Sequence, residues 1–136
     1  MDDVVFNKSA TIERSIRRVR EEYAENADNL LKNITKQDAI ILNVQRACEA
    51  AIDLAMHLVR RERLGIPQDT REAFDLLVGA GRLDAALSLS LKRMVGFRNV
   101  AVHDYQALNL EIVRSIVEKG LDDLTEFARY ALRAYG

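Results

Sequence analysis

The residues best suited to chemistry lie in one short stretch, Gly96–Tyr105, which combines the guanidinium of Arg98, the imidazole of His103 and the phenol of Tyr105. A histidine titrates near neutral pH and can take a proton from a hydroxyl or return one to a leaving oxygen. An arginine can bind phosphoryl oxygens and stabilise the extra negative charge of a transition state. These residues suit metal-independent cleavage of RNA, rather than DNA, by attack of the ribose 2′-hydroxyl on the phosphodiester.

The spacing limits how Arg98 and His103 could act together. Five residues on an α-helix turn through about 500°, so the two side chains would point about 140° apart. For both to reach one phosphate, either the helix ends between them or a second subunit supplies the missing partners. The reaction needs both an acid and a base, and a two-fold dimer would bring two histidines and two arginines into one groove. If the segment is extended, Tyr105 shares a face with His103.

The same residues also have a structural interpretation. Arg98 and His103 could be ordinary caps, because cations are favoured near the negative end of a helix. Asn99 could be a left-handed residue that ends a helix, or a polar group that orients a catalytic site. The residue types and the spacing leave both interpretations open.

The rest of the chain predicts the helices that must position this stretch. With one proline, six glycines and no linker or repeat, the 136 residues indicate a single all-α domain over residues 1–136. We expect an up-and-down bundle of about five helices, joined by short turns. The predicted helices are a long first helix with an apolar stripe over Ile12–Ile34, a second capped by Thr35 and Asp38 and carrying Ile40–Val59, a third capped by Asp69, a fourth opened by Asp84 and a fifth opened by Asn109.

The composition excludes several classes of function. No apolar run approaches the roughly 18 residues of a membrane span, and the N-terminus is acidic where a signal peptide is basic. The single cysteine, Cys48, excludes an internal disulfide and a Cys-rich zinc site, and it fits the reducing cytoplasm. A net charge of -1 leaves the surface that would bind nucleic acid unidentified.

Residues outside the stretch have simpler interpretations. We expect His57 to lie on the solvated face of the second helix. Cys48 lies on the apolar stripe and should fill the core. Two groups of arginines could bind RNA phosphates or an acidic partner, although pairing with nearby glutamates on a solvated face is the commoner arrangement. These groups are Arg14, Arg17 and Arg18, and Arg60, Arg61 and Arg63.

The pattern Arg98-Asn99-x3-Val102-His103-x-Tyr105, placed before the last predicted helix, resembles the Arg-x4-6-His motif of the HEPN ribonuclease superfamily. Its Arg-x4-His-x-Tyr form is similar to that of the HepT toxin family. The similarity covers nearly the whole chain and includes two further segments, Gln45–Ile52 and Met94–Asn99.

The resemblance implies the toxin of a toxin–antitoxin system, a homodimer in which two motifs build one metal-independent endoribonuclease site. Arg98 and His103 match the catalytic positions, and Asn99 matches the polar residue that supports them. Tyr105 matches the tyrosine that an MntA-type nucleotidyltransferase antitoxin modifies with AMP groups from ATP. The chain itself would need no cofactor.

Two other functions stay open at this point. The chain could be a non-catalytic helical module that docks a nucleotidyltransferase and its nucleotide substrate, with the same motif contacting the nucleotide. It could also be a structural or regulatory dimer in which the polar stretch only caps a helix. Arrest of growth on expression, abolished by replacing Arg98 or His103, would separate a nuclease from both.

Overall fold

The computed structural model describes all 136 residues, and every regular element in it is helical, as the sequence predicts. A 3₁₀ turn at Tyr105–Ala107 and a π-helical turn at Ile116–Gly120 connect the last elements. The α-helices are α1 (Asp3–Tyr23), α2 (Asp28–Leu31), α3 (Ile34–Arg61), α4 (Thr70–Gly79), α5 (Ala85–His103), α6 (Leu110–Ser115) and α7 (Leu121–Tyr135).

The long helices form a bundle around one apolar core. Helix α1 packs against α3 and α7, while α5 packs against α3, α4 and α7. Phe74 of α4 and Phe127 of α7 are fully buried and meet edge to face, with ring centroids 5.8 Å apart. Truncating a buried phenylalanine of this kind costs about 3–5 kcal/mol, so these contacts fix the frame on which α3 and α5 lie side by side.

The first predicted helix is wrong in its extent. Helix α1 ends at Tyr23, because Ala24 and Glu25 adopt left-handed backbone with φ of 48° and 56°. The apolar spacing nevertheless continues past this break, since Leu30 of the short helix α2 is also fully buried. Periodicity alone therefore joined two helices that a left-handed turn separates.

The predicted cap of the second helix is also displaced. Helix α3 begins at Ile34, and the side chain of Asn33 accepts a hydrogen bond from the Lys36 amide. Thr35 and Asp38 lie inside the helix, which leaves the carboxylate of Asp38 free for another contact. By contrast, the predicted N-terminal boundaries of the later helices are confirmed, since Asp69, Asp84 and Asn109 directly precede α4, α5 and α6.

The last predicted helix is continuous but irregular. Helices α6 and α7 are joined by the π-helical turn, and Gly120 ends that turn against α5. A Cβ atom on Gly120 would lie 2.9 Å from the terminal methyl of Met94, so a larger residue would push the two elements apart. This close approach fixes the position of α5, which carries the motif.

Candidate active site

Helix α5 continues through the whole Arg-x4-His pattern and ends at His103. The motif is therefore the C-terminal part of a helix, and the Asp104 amide closes that helix by donating to the Val100 carbonyl. Because the helix does not end between Arg98 and His103, their side chains point about 140° apart. The first of the two arrangements open from the spacing, a helix that ends between the two residues, is therefore absent.

Arg98 is held by an acidic residue of the neighbouring helix. Its guanidinium forms an ion pair with Glu49 of α3, with Nη1 and Oε1 3.2 Å apart, and its side chain is 16% exposed. The Nε atom is buried and has no hydrogen-bond partner. An unsatisfied buried donor destabilises a protein, so Arg98 is not placed for stability alone.

His103 is in the opposite situation. It is the last residue of α5, it is exposed, and its ring contacts no carboxylate. Both ring nitrogens are thus available to a ligand.

Asn99 does not end the helix, because α5 continues for a full turn beyond it. The interpretation of Asn99 as a left-handed terminal residue is therefore wrong. Asn99 is half-buried and follows Arg98 directly in α5.

Tyr105 begins the 3₁₀ turn after α5, so the extended segment that would have aligned it with His103 is absent. Its side chain is 39% exposed, and its hydroxyl donates a hydrogen bond to Oδ1 of Asp38 on α3. Partial burial and the negative charge of Asp38 raise the pKa of Tyr105 to about 12. The phenol is accordingly neutral at physiological pH.

The two acidic partners come from one face of α3. Asp38 and Glu49 are eleven residues apart, which brings them to within about 20° of each other around the helix and about 16 Å apart along it. Leu42 lies between them on this face and is exposed, and Val102, one turn after Arg98 on α5, is exposed too. We call these residues, together with Arg98 and Tyr105, the α3–α5 face.

Sequence reasoning missed Asp38 and Glu49. Glu49 lies in a segment that carried the family resemblance, but nothing in its spacing pointed to Arg98. Asp38 is separated from Tyr105 by 67 residues. Only the packing of α3 against α5 makes these contacts.

His57 is not on a solvated face, and that prediction is wrong. The N-terminal residues fold over the end of α3, and Oδ2 of Asp2 lies 2.7 Å from Nε2 of His57 and 3.0 Å from Nη1 of Arg61. Arg61 also donates to the Tyr135 carbonyl. These four residues form the terminal cluster. Helical periodicity shows which face of a helix is polar but not which distant segment covers it.

The remaining predictions concern core filling, metal and membrane. Cys48 is buried, and burial raises the pKa of its thiol to about 12, which confirms it as a core residue. The structure contains no group of three or more His, Cys, Asp or Glu side chains arranged to hold a metal ion. None of its helices combines the length and apolar character needed to cross a membrane.

Comparison with known proteins identifies relatives over most of the chain. A family model described as Ribonuclease HepT-like matches residues 12–131. The mRNA nuclease HepT of Shewanella oneidensis is 47% identical over 127 residues, which cover 93% of this chain and 95% of that protein. A putative RNase of Archaeoglobus fulgidus is 29% identical over 89 residues, covering 65% of this chain and 67% of that protein.

Solved structures give the same result. The tri-AMPylated HEPN toxin of Shewanella oneidensis, in complex with its MNT antitoxin, superposes with a TM-score of 0.91 and is 45% identical, covering 98% of this chain and 99% of that chain. A toxin–antitoxin crystal structure with AMP-PNP matches with a TM-score of 0.89 at 45% identity, over 96% of this chain and 99% of that one. The resemblance that the Arg-x4-His-x-Tyr pattern indicated is thereby confirmed, and the chain belongs to the HepT-like ribonuclease family.

Proposed function

We propose that this protein is the toxin of a toxin–antitoxin pair, a metal-independent endoribonuclease that acts on cytoplasmic RNA and is completed by a second copy of the chain. One observation carries the proposal: α5 is continuous from Arg98 to His103, so the two side chains of one chain leave the helix about 140° apart, and a second copy would supply the facing partners. The relatives named mRNA nuclease HepT and HEPN toxin support the activity.

The cleavage needs only groups that the two chains supply. His103 of one chain takes the proton from a ribose 2′-hydroxyl, and the 2′-oxygen attacks the adjacent phosphorus. The bond to the 5′-oxygen breaks, and that oxygen receives a proton from His103 of the second chain. Arg98 binds the phosphoryl oxygens, while Asn99 supports it from the same helix. The products are a 2′,3′-cyclic phosphate and a free 5′-hydroxyl.

The α3–α5 face supports assembly as a homodimer. It carries the exposed apolar side chains Leu42 and Val102 between the Glu49–Arg98 pair and the Tyr105–Asp38 pair. Apolar centres with polar surroundings are typical of subunit interfaces. A two-fold axis that sets this face of one copy against the C-terminal end of α5 in the other would bring Arg98 of each chain close to His103 of its partner.

We propose further that an MntA-type nucleotidyltransferase antitoxin silences the toxin by transferring AMP from ATP to Tyr105. Tyr105 is partly exposed and lies two residues beyond His103. The structurally similar Shewanella toxin is tri-AMPylated and bound to its antitoxin. An adenylyl group on Tyr105 would place a phosphate where it competes with RNA for Arg98. Its base would fill the groove in which RNA binds.

Expression in bacteria tests the proposal. The wild-type chain should arrest growth, and Arg98→Ala and His103→Ala should not. A Tyr105→Phe variant should arrest growth and escape the antitoxin. Cleavage of RNA in vitro should persist in EDTA. Growth arrest by all of these alanine variants would exclude the nuclease and favour a binding module.

A further inference from the structure

The contact between Tyr105 and Asp38 joins a turn and a helix that lie 67 residues apart in the sequence. Asp38 is exposed on the second turn of α3, and the Tyr105 side chain is partly exposed. In the proposed homodimer both groups belong to the polar surroundings of the interface, where solvent or a partner protein can reach them. The phenolic oxygen lies within hydrogen-bond distance of the Asp38 carboxylate.

This contact has no evident structural role. Asp38 does not cap α3, because Asn33 does so, and it forms no ion pair with a basic residue. An exposed hydrogen bond of this kind contributes at most about 1 kcal/mol to stability. Partial burial, together with the hydrogen bond to the Asp38 carboxylate and its charge, also holds the pKa of Tyr105 at about 12. The hydroxyl must therefore lose its proton during any attack at neutral pH.

We propose that Asp38 is the general base for modification of Tyr105. This inference rests on the proposed function, in which a nucleotidyltransferase modifies Tyr105. The phenolic oxygen forms a bond to the α-phosphorus of ATP, and the bond from that phosphorus to the bridging oxygen breaks. Pyrophosphate leaves with the electron pair, while the phenolic proton passes to the Asp38 carboxylate and then to water.

If Asp38 acted only through its charge, its replacement would change the rate of Tyr105 modification in the opposite direction, which makes the inference testable. The charge of Asp38 disfavours the phenolate. If that were its only effect, Asp38→Asn would lower the pKa of Tyr105, increase the phenolate fraction and accelerate modification. If Asp38 is the base, the same substitution slows modification, because asparagine cannot accept a proton.

The experiment measures initial rates of label transfer from ATP labelled at the α-phosphate, using the purified chain and an MntA-type nucleotidyltransferase. At saturating ATP, Asp38→Asn should reduce the rate about 10²-fold, and Asp38→Glu should retain part of the rate. When the ATP concentration is varied, the KM for ATP should be unchanged. Asp53→Asn is the matched control, since Asp53 is also an exposed aspartate of α3 and pairs with Lys8 at 3.0 Å. Its rate should equal that of the wild type.

A pH profile separates a base from a merely structural residue. Asp38 is the charged side chain that contacts the phenol of Tyr105 from α3. His103 and Asp104 directly precede Tyr105 in the chain. His103 and Asp104 are present in both the wild type and Asp38→Asn, so their titration cancels in the ratio of the two rates. Between pH 7 and pH 9, the wild-type advantage over Asp38→Asn should shrink by about tenfold per pH unit, as the phenolate fraction rises.

The outcomes distinguish this inference from the function on which it rests. An equal or faster rate for Asp38→Asn, with wild-type labelling intact, overturns the role of Asp38 and leaves the proposed modification standing. Labelling of Tyr105→Phe at the wild-type level overturns the proposed modification site and the inference together. Slow labelling of Asp38→Asn with partial rescue by Asp38→Glu supports the general base.

Discussion

The two histidines of the chain occupy opposite situations. His57 belongs to the terminal cluster, where Asp2 lies within hydrogen-bond distance of His57 and Arg61 and also caps α1. His103 ends α5 in an exposed position with no carboxylate in contact. Both lie near the C-terminal end of a long helix, and from the sequence His57 was expected on a solvated face and His103 in a site.

The difference shows how one chain separates stability from function. In the terminal cluster His57 and Arg61 both pair with Asp2 within the chain, so these interactions stabilise the fold. The motif leaves polar groups without partners, namely the ring of His103 and the buried Nε of Arg98. His103 can therefore bind another molecule without breaking a contact inside the chain, and Arg98 keeps a donor that the chain does not use.

The largest expected effect is on catalysis. His103→Ala removes a proton-transfer group, so the rate of RNA cleavage should fall by about 10²- to 10⁴-fold. Because His103 is exposed and unpaired, the melting temperature of the His103→Ala protein should equal that of the wild type. Cleavage of a labelled RNA and a thermal melt measure the two quantities. A large drop in stability with unchanged cleavage would reverse the comparison and favour the capping role.

The reciprocal variant should affect stability alone. His57→Ala removes a hydrogen bond to the half-buried carboxylate of Asp2. The His57 side chain that makes this bond is only 20% exposed. Hydrogen bonds to charged groups contribute about 1.5–3 kcal/mol, so the free energy of unfolding should fall by about 2 kcal/mol in urea titrations. The cleavage rate per folded molecule should be unchanged. A loss of cleavage without loss of stability would show that the cluster serves the active site.

The smallest expected effect is a pH dependence of stability. The hydrogen bond with His57 lowers the pKa of Asp2 to about 2, with Arg61 contributing. A carboxyl whose pKa is lowered on folding stabilises the protein above its unfolded pKa of about 4, and this contribution is lost as the pH falls towards 2. Thermal melts between pH 5 and pH 2 should therefore show a steeper decline for the wild type than for Asp2→Asn. Parallel curves would exclude the ion pair as a source of acid sensitivity.

The sequence predicted the features that depend on local pattern. The helical bundle follows from apolar periodicity, and Arg98, His103 and Tyr105 follow from a motif confined to eight residues. The contacts of Asp2, Asp38 and Glu49 could not be predicted, because each joins segments that are 49 to 67 residues apart. The break after Tyr23 was missed because the buried spacing continues across a left-handed turn.

The central claim is that Arg98 of one chain acts with His103 of another, and a mixed dimer tests it most directly. Arg98→Ala and His103→Ala chains with different tags can be co-expressed, and the dimer carrying both tags isolated. This dimer keeps one arginine and one histidine on different chains. It has lost one of the two proton-transfer groups, so we expect it to cleave RNA more slowly than the wild type but at least about tenfold faster than either single-variant protein, each of which lacks every arginine or every histidine of the motif. A mixed dimer no faster than the better of the two, or a wild-type chain that remains a 15.4 kDa monomer while cleaving RNA, would contradict the shared site.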